Sequence, residues 1–175
     1  MPNRAQDLAL KGGGTFYTSI AASAALTNTV TETALDSVSI GADTLKAGDV
    51  VHIVAQGIAT ATNSTDTLTI KVKFGTVVLT ATAAVDVADN DVWFTNTYVT
   101  IRTQGASGTF VSAGHNTLGV EGTATARTDI VASTAIDTTA AQTCQITGTW
   151  SVASASNSCR NDQFIVEILR PASFD

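Results

Sequence analysis

Four side chains able to hold or move a proton, Asp43, Lys46, Asp49 and His52, fall within ten positions in the run IGADTLKAGDVVHIVAQG from Ile40 to Gly57. A carboxylate near an imidazole is the raw material of general base catalysis. The second histidine, His115, sits in Gly114-His115-Asn116. A catalytic triad must bring a nucleophile to one of these imidazoles, and a zinc site must gather three or four ligands. The chain carries neither a nucleophile elbow nor a His-Glu-x-x-His spacing. Both histidines therefore read as ordinary strand or turn residues, His52 on a face shared with Val50, Val54 and Gln56, and Asp43, Lys46 and Asp49 as a solvated connection between two strands.

The remaining chemistry-bearing groups are equally dispersed. In VDVADND, Asp86, Asp89 and Asp91 offer the hard oxygens that calcium takes, without EF-hand spacing or its closing glutamate. Asp and Asn also favour turns that hold no ion. Glu32, Glu121 and Glu167 are the only glutamates, and no spacing pairs two of them across a cleft. The triplet Gly12 to Gly14 is not followed by Lys-Ser/Thr, and no G-x-G-x-x-G follows a strand pattern. No catalytic residue, metal or cofactor is assigned, and the expectation is a protein that is not an enzyme and takes no small-molecule substrate.

One segment is unusual for another reason. In VWFTNTYVTIRT, Trp93, Val99 and Ile101 share one face of a strand while Phe94, Tyr98 and Arg102 lie on the other. Such a two-faced strand is either central, with its second face under a loop, or it presents Phe94, Tyr98 and Arg102 as a subunit or partner contact. FIVEIL repeats the pattern, with Phe164, Val166 and Ile168 opposing Ile165, Glu167 and Leu169.

The elements that position these groups are strands. Hydrophobic residues make up 44% of the 175 and charged ones only 14%, so uncharged polar residues must cover the surface, and 30 threonines do so. Threonine's branched Cβ suits a pleated, half-exposed surface. Proline occurs only at Pro2 and Pro171, leaving the intervening chain free to pair. Period-2 alternation is clearest in DTLTIKVKF from Asp66 to Phe74 and in Thr143 to Ser154, where Trp150 is a core anchor. Further strands are expected at Thr15–Ile20, Glu32–Ile40, Asp49–Ala61, Val77–Ala81, Val92–Thr103, Thr109–Ala113, Leu118–Ile130 and Gln163–Arg170. The turns between them include Gly114-His115-Asn116 and a hairpin over Ser156 to Asn161. Ala-rich Ile20 to Leu26 and Ala132 to Ala141 could hold a helical turn, and a short helix around Ala5 to Lys11 in the arm would be too short to be stable alone.

The expected fold is all-β, an antiparallel β-sandwich of jelly-roll type, with an immunoglobulin-like sandwich second. Residues 1–14 read as an extended or mobile arm ending in the glycine hinge, and residues 15–175 as a single domain. A net charge of −6 with nine scattered basic residues gives no stripe for phosphates, which argues against nucleic acid. No apolar run has the length of a signal peptide core or a bilayer span, which argues against a membrane. Cys144 and Cys159 are poorly placed for a bridge within the last hairpin and read as free thiols, although pairing in another register stays open.

The run SVSIGADTLKAGDVVHIVAQG, through Ile40, Ala42, Leu45, Gly48, Asp49, Val50, Val51 and Ile53, resembles a strand–turn–strand signature of small jelly-roll structural proteins of tailed bacteriophages. LTIKVKFG and a C-terminal Gly-Thr-Trp strand paired with FIVEIL look similar to such proteins too. The resemblance implies a virion component, above all a capsid decoration or cement protein. Such a protein would sit as a homotrimer on the outer capsid surface, bind the major capsid protein and stabilise the shell after assembly in the bacterial cytoplasm. A tail- or fibre-associated jelly roll and a carbohydrate-binding β-sandwich are the alternatives.

Overall fold

The computed structural model describes residues 14–63, 65–119 and 124–171; the expected arm, apart from Gly14, lies outside them. Eleven strands follow in order: β1 (Gly14–Thr18), β2 (Thr33–Ile40), β3 (Val50–Thr60), β4 (Thr67–Phe74), β5 (Val77–Ala81), β6 (Val85–Asp86), β7 (Asp91–Thr103), β8 (Gly108–Gly119), β9 (Thr125–Ile136), β10 (Gln142–Trp150) and β11 (Ser158–Leu169). All pairings are antiparallel, in a six-stranded sheet ordered β1-β11-β3-β7-β8-β9 and a second sheet ordered β2-β10-β4-β5, with β6 on β4. The protein is an antiparallel β-sandwich.

Alternation in the sequence becomes alternation in burial. Along β4, Leu68, Ile70, Val72 and Phe74 are buried while Thr67, Thr69, Lys71 and Lys73 stay half-buried on the other face. The six-stranded sheet contributes Val51, Ile53, Trp93, Val99, Phe110 and Phe164 to the shared core, and the opposite sheet Leu68, Val72, Phe74, Cys144, Ile146 and Trp150. Phe74 meets Phe110 edge-on across the sandwich at 5.7 Å and 89°. Each such large side chain contributes about 1.5–3 kcal/mol by leaving water. The Trp150 indole also donates to the Leu26 carbonyl at 3.3 Å, and Leu26 bridges to Cys159, so the β1–β2 link is tied to both sheets.

Four expectations are corrected. Gly114-His115-Asn116 is no turn but the middle of β8, so the strands expected at Thr109–Ala113 and Leu118–Ile130 are Gly108–Gly119 and Thr125–Ile136. Glycine serves close approach at this position: a Cβ on Gly114 would lie 2.8 Å from Thr97 Oγ1 and 3.0 Å from Thr80. β10 and β11 form no hairpin, because β10 pairs with β2 and β4 in one sheet while β11 pairs with β1 and β3 in the other. Their link therefore crosses the sandwich. The Ala-rich stretches hold no helix; residues 132–136 belong to β9. Finally, Asp49 is not solvated. It is 2% exposed, its Oδ2 accepts the Lys46 amide at 3.0 Å, and Arg170 stands 3.5 Å away. It holds the turn that feeds β3.

Cys144 and Cys159 are free and fully buried, one in each sheet. Burial pushes both thiols up to about 12, which leaves them as unreactive core residues.

The tightest approach in the six-stranded sheet is at Gly57, where a Cβ would fall 2.0 Å from the Arg160 carbonyl oxygen and 2.7 Å from the Trp93 ring. Gly57→Ala is expected to lower stability by about 3 kcal/mol, measured by denaturant unfolding. An unchanged midpoint would show that the β3–β11 contact is slack.

Candidate functional site

The outer face of the six-stranded sheet gathers His52, His115, Phe94, Tyr98 and Glu167 from the groups singled out in the sequence. In register across it run Glu167 (β11), His52 (β3), Tyr98 (β7), Ala113 (β8) and Ile130 (β9). A second row runs Ile165, Val54, Asn96, His115 and Thr128, and a third Gln163, Gln56, Phe94, Thr117 and Ala126. Paired residues of antiparallel strands share a face, so these rows form one continuous surface.

His52 is its polar centre. Nδ1 lies 2.8 Å from Glu167 Oε2, Nε2 lies 2.8 Å from Asn96 Oδ1, and the ring stacks on Tyr98 at 4.3 Å and 2°. An Nδ1–H donated to the carboxylate fixes the ring, and Nε2 stands against the Asn96 side-chain amide. Both ring nitrogens are thus engaged. Among the described residues neither of these bonds reaches a serine, threonine or cysteine. His115 is exposed and stands 3.2 Å from Thr128 Oγ1.

The same face also carries apolar side chains. Tyr98, Val92, Leu169 and Ile130 are 43%, 49%, 40% and 80% exposed, and Val54, Phe94 and Ile165 are half-buried. Phe94 and Tyr98 thus project from β7 as the sequence suggested, and Arg102 is exposed at a bulge near its end. β7 is central, between β3 and β8, but no described strand covers its second face. Sequence reasoning missed the partners of His52, because Glu167 is 115 residues away and only the pairing of β3 with β11 joins them.

The acidic run forms a turn. Asp91 is buried and accepts the Ala88 amide at 2.9 Å, Asp89 accepts from the Asn90 side chain at 3.0 Å, and Asp86 pairs with Thr67 on β4. Among the described residues no three His, Cys, Asp or Glu side chains converge as metal ligands. A cleft of about 400 Å³ opens between Phe74, Val77, Phe110, Ile136 and Gln142, away from the His52 group. Asp137 at its rim is occupied in capping Thr139 at 2.9 Å.

On the outer face of the other sheet, Glu32 accepts from Lys71 at 2.6 Å, Lys73 at 3.1 Å and Thr147 at 3.0 Å. The alternation in β4 places both lysines on one face, but only the fold brings Glu32 to them.

Comparison with protein-family models, curated sequences and solved structures finds no match.

The Lys71 bond above all holds the Glu32 carboxyl down at about 2, with Lys73 and Thr147 adding to it against the cost of partial burial. A depressed carboxyl stabilises the fold above its unfolded value near 4.5, and that contribution is lost as the pH falls through about 2. With the side chain 30% exposed, solvent screening leaves about 1–2 kcal/mol. Glu32→Gln is expected to cost that much at neutral pH, and the difference from wild type should vanish toward pH 2. A deficit independent of pH would contradict the ion-pair account.

Proposed function

We propose that the protein is a non-enzymatic structural protein of a bacteriophage virion, a decoration or cement protein that binds the outer capsid surface and stabilises the shell. The observation that carries an assembly role is the set of apolar side chains, Tyr98, Val92, Phe94, Ile165 and Leu169, on the outer face of the six-stranded sheet, which no described strand covers. Aromatic and aliphatic side chains surrounding a few satisfied polar groups, with charge at the rim, are the composition of a protein–protein contact. The virion and the capsid as partner rest on the resemblance of the Ile40 to Ile53 run and of LTIKVKFG to phage jelly-roll proteins.

The connectivity favours the same reading. With the β8–β9 hairpin set aside, four strands per main sheet are left, ordered β1-β11-β3-β7 and β2-β10-β4-β5, and the chain passes repeatedly from one sheet to the other. We infer a jelly roll widened by one hairpin. Many weak contacts with a repetitive shell sum to firm attachment when copies are linked.

The expected result is that purified protein adds to undecorated shells at a fixed number of copies. Tyr98→Asp is expected to weaken that binding at least about tenfold while the far-UV spectrum stays that of the folded protein, because Tyr98 is 43% exposed in the free protein. Failure to bind shells, together with binding to glycans, would favour a carbohydrate-binding module instead.

A further inference from the structure

Two sheets leave four outer strands, and three of them are short or tied down. β1 and β5 have five residues each. β2 has eight, and its Asp36 bonds across the corner to Tyr17 at 3.4 Å and Asn161 at 3.2 Å. β9 differs, with 12 residues, no proline and no lysine, and β8 as its only strand neighbour among the described residues. An edge of that length offers a row of unpaired backbone donors and acceptors.

Its sequence is self-complementary. From Thr125 to Val131 the strand pairs regularly with β8; the next residues are displaced by a bulge. Within that stretch Thr128 is flanked by Arg127 and Asp129. If a second copy is laid antiparallel about a two-fold axis through Thr128, Arg127 faces Asp129 of the partner subunit, and the reverse pair forms by symmetry. Ala126 then faces Ile130 of the partner subunit, and Thr125 faces Val131 of the partner subunit. Centring instead on Arg127 or Asp129 sets like charges face to face, which is unfavourable. Ala126, Thr128 and Ile130 share the outer face with Thr117, His115 and Ala113, so the contact also covers Ile130, which is 80% exposed in one copy.

The two charges are already organised for this. Asp129 is fixed by Thr80 Oγ1 at 2.8 Å and the Ala81 amide at 3.2 Å, and Arg127 Nε reaches Asp129 Oδ1 at 2.7 Å with the Arg127 side chain 52% exposed. A guanidinium holding one carboxylate through Nε retains donors for a second. Joining β9 to β1 of another copy would instead use opposite edges of one sheet and propagate as an open ribbon.

We propose that β9 is a homodimer edge, pairing with β9 of a second copy about Thr128 to make one continuous 12-stranded sheet from two six-stranded ones. The inference needs no shell and stands apart from the virion reading. It groups copies in twos, whereas the phage resemblance implies threes.

Sedimentation velocity of the full chain tests it, with a dimer as the expected species. Arg127→Glu opposes Asp129 of the partner subunit with a second carboxylate and is expected to weaken the dimer on the order of tenfold, with the far-UV spectrum unchanged. As a separate readout, Thr128→Cys is expected to form a disulfide-linked dimer on mild oxidation, since the two positions face each other at the axis. Thr125→Cys is expected to form none. Cys144 and Cys159 are buried and give little background. A monomer at all concentrations overturns the proposal, as does an oligomer indifferent to Arg127→Glu or one that Thr128→Cys does not cross-link.

Discussion

The structure turns on an imbalance: β3, β7 and β11 carry large apolar side chains on both faces of the six-stranded sheet, and among the described residues the second sheet covers only one of those faces. β3, β7 and β11 bury Ile53, Trp93 and Phe164 inward, yet carry Val54, Phe94 and Ile165 outward. Soluble antiparallel sheets usually alternate apolar and polar, with one face wet. Bulk on both sides of three adjacent strands is the feature on which the proposed assembly role rests.

The inner face shows the converse. Where the β8–β9 hairpin extends the six-stranded sheet, the inward side chains become polar: Ser112 and Asn116 on β8, either side of Gly114, with Thr95 and Thr97 beside them on β7. Asn116 bonds to Thr80, and Thr80 to Asp129, so β5 is joined to the hairpin by hydrogen bonds in place of apolar packing. Burial works against the Asp129 charge, and the bonds from Thr80, Arg127 and the Ala81 amide outweigh it, holding its carboxyl below the usual range. These polar groups are spent on geometry, as are Asp49 at its turn and His52 between Glu167 and Asn96.

Much of this was legible in the chain. DTLTIKVKF foretold β4 because a half-buried strand writes its two faces as alternate letters, and the segment from Val92 to Thr103 foretold β7 with Trp93 in and Phe94 out. Alternation says which residues share a face, but not which strand lies beside them. For that reason β10 and β11 were expected as a hairpin although they sit in opposite sheets. The same blindness applied to Gly114, since glycine marks both a turn and a close approach, and only the position of Thr80 in the facing sheet decides between them. Phe94, Tyr98 and Arg102 were visible as oddities, whereas the His52–Glu167–Asn96 group required three strands distant in sequence to be placed in register.

We propose that the outer face of the six-stranded sheet is the assembly face. Hydroxyl-radical footprinting of the free and the shell-bound protein tests it most directly, because Tyr98, Val92 and Leu169 are open to solvent in the single chain. The account predicts that oxidation at these three falls sharply on assembly while Val78 and Val152, exposed elsewhere, keep their reactivity. Unchanged oxidation at Tyr98, Val92 and Leu169 in a particle that carries the protein would contradict it.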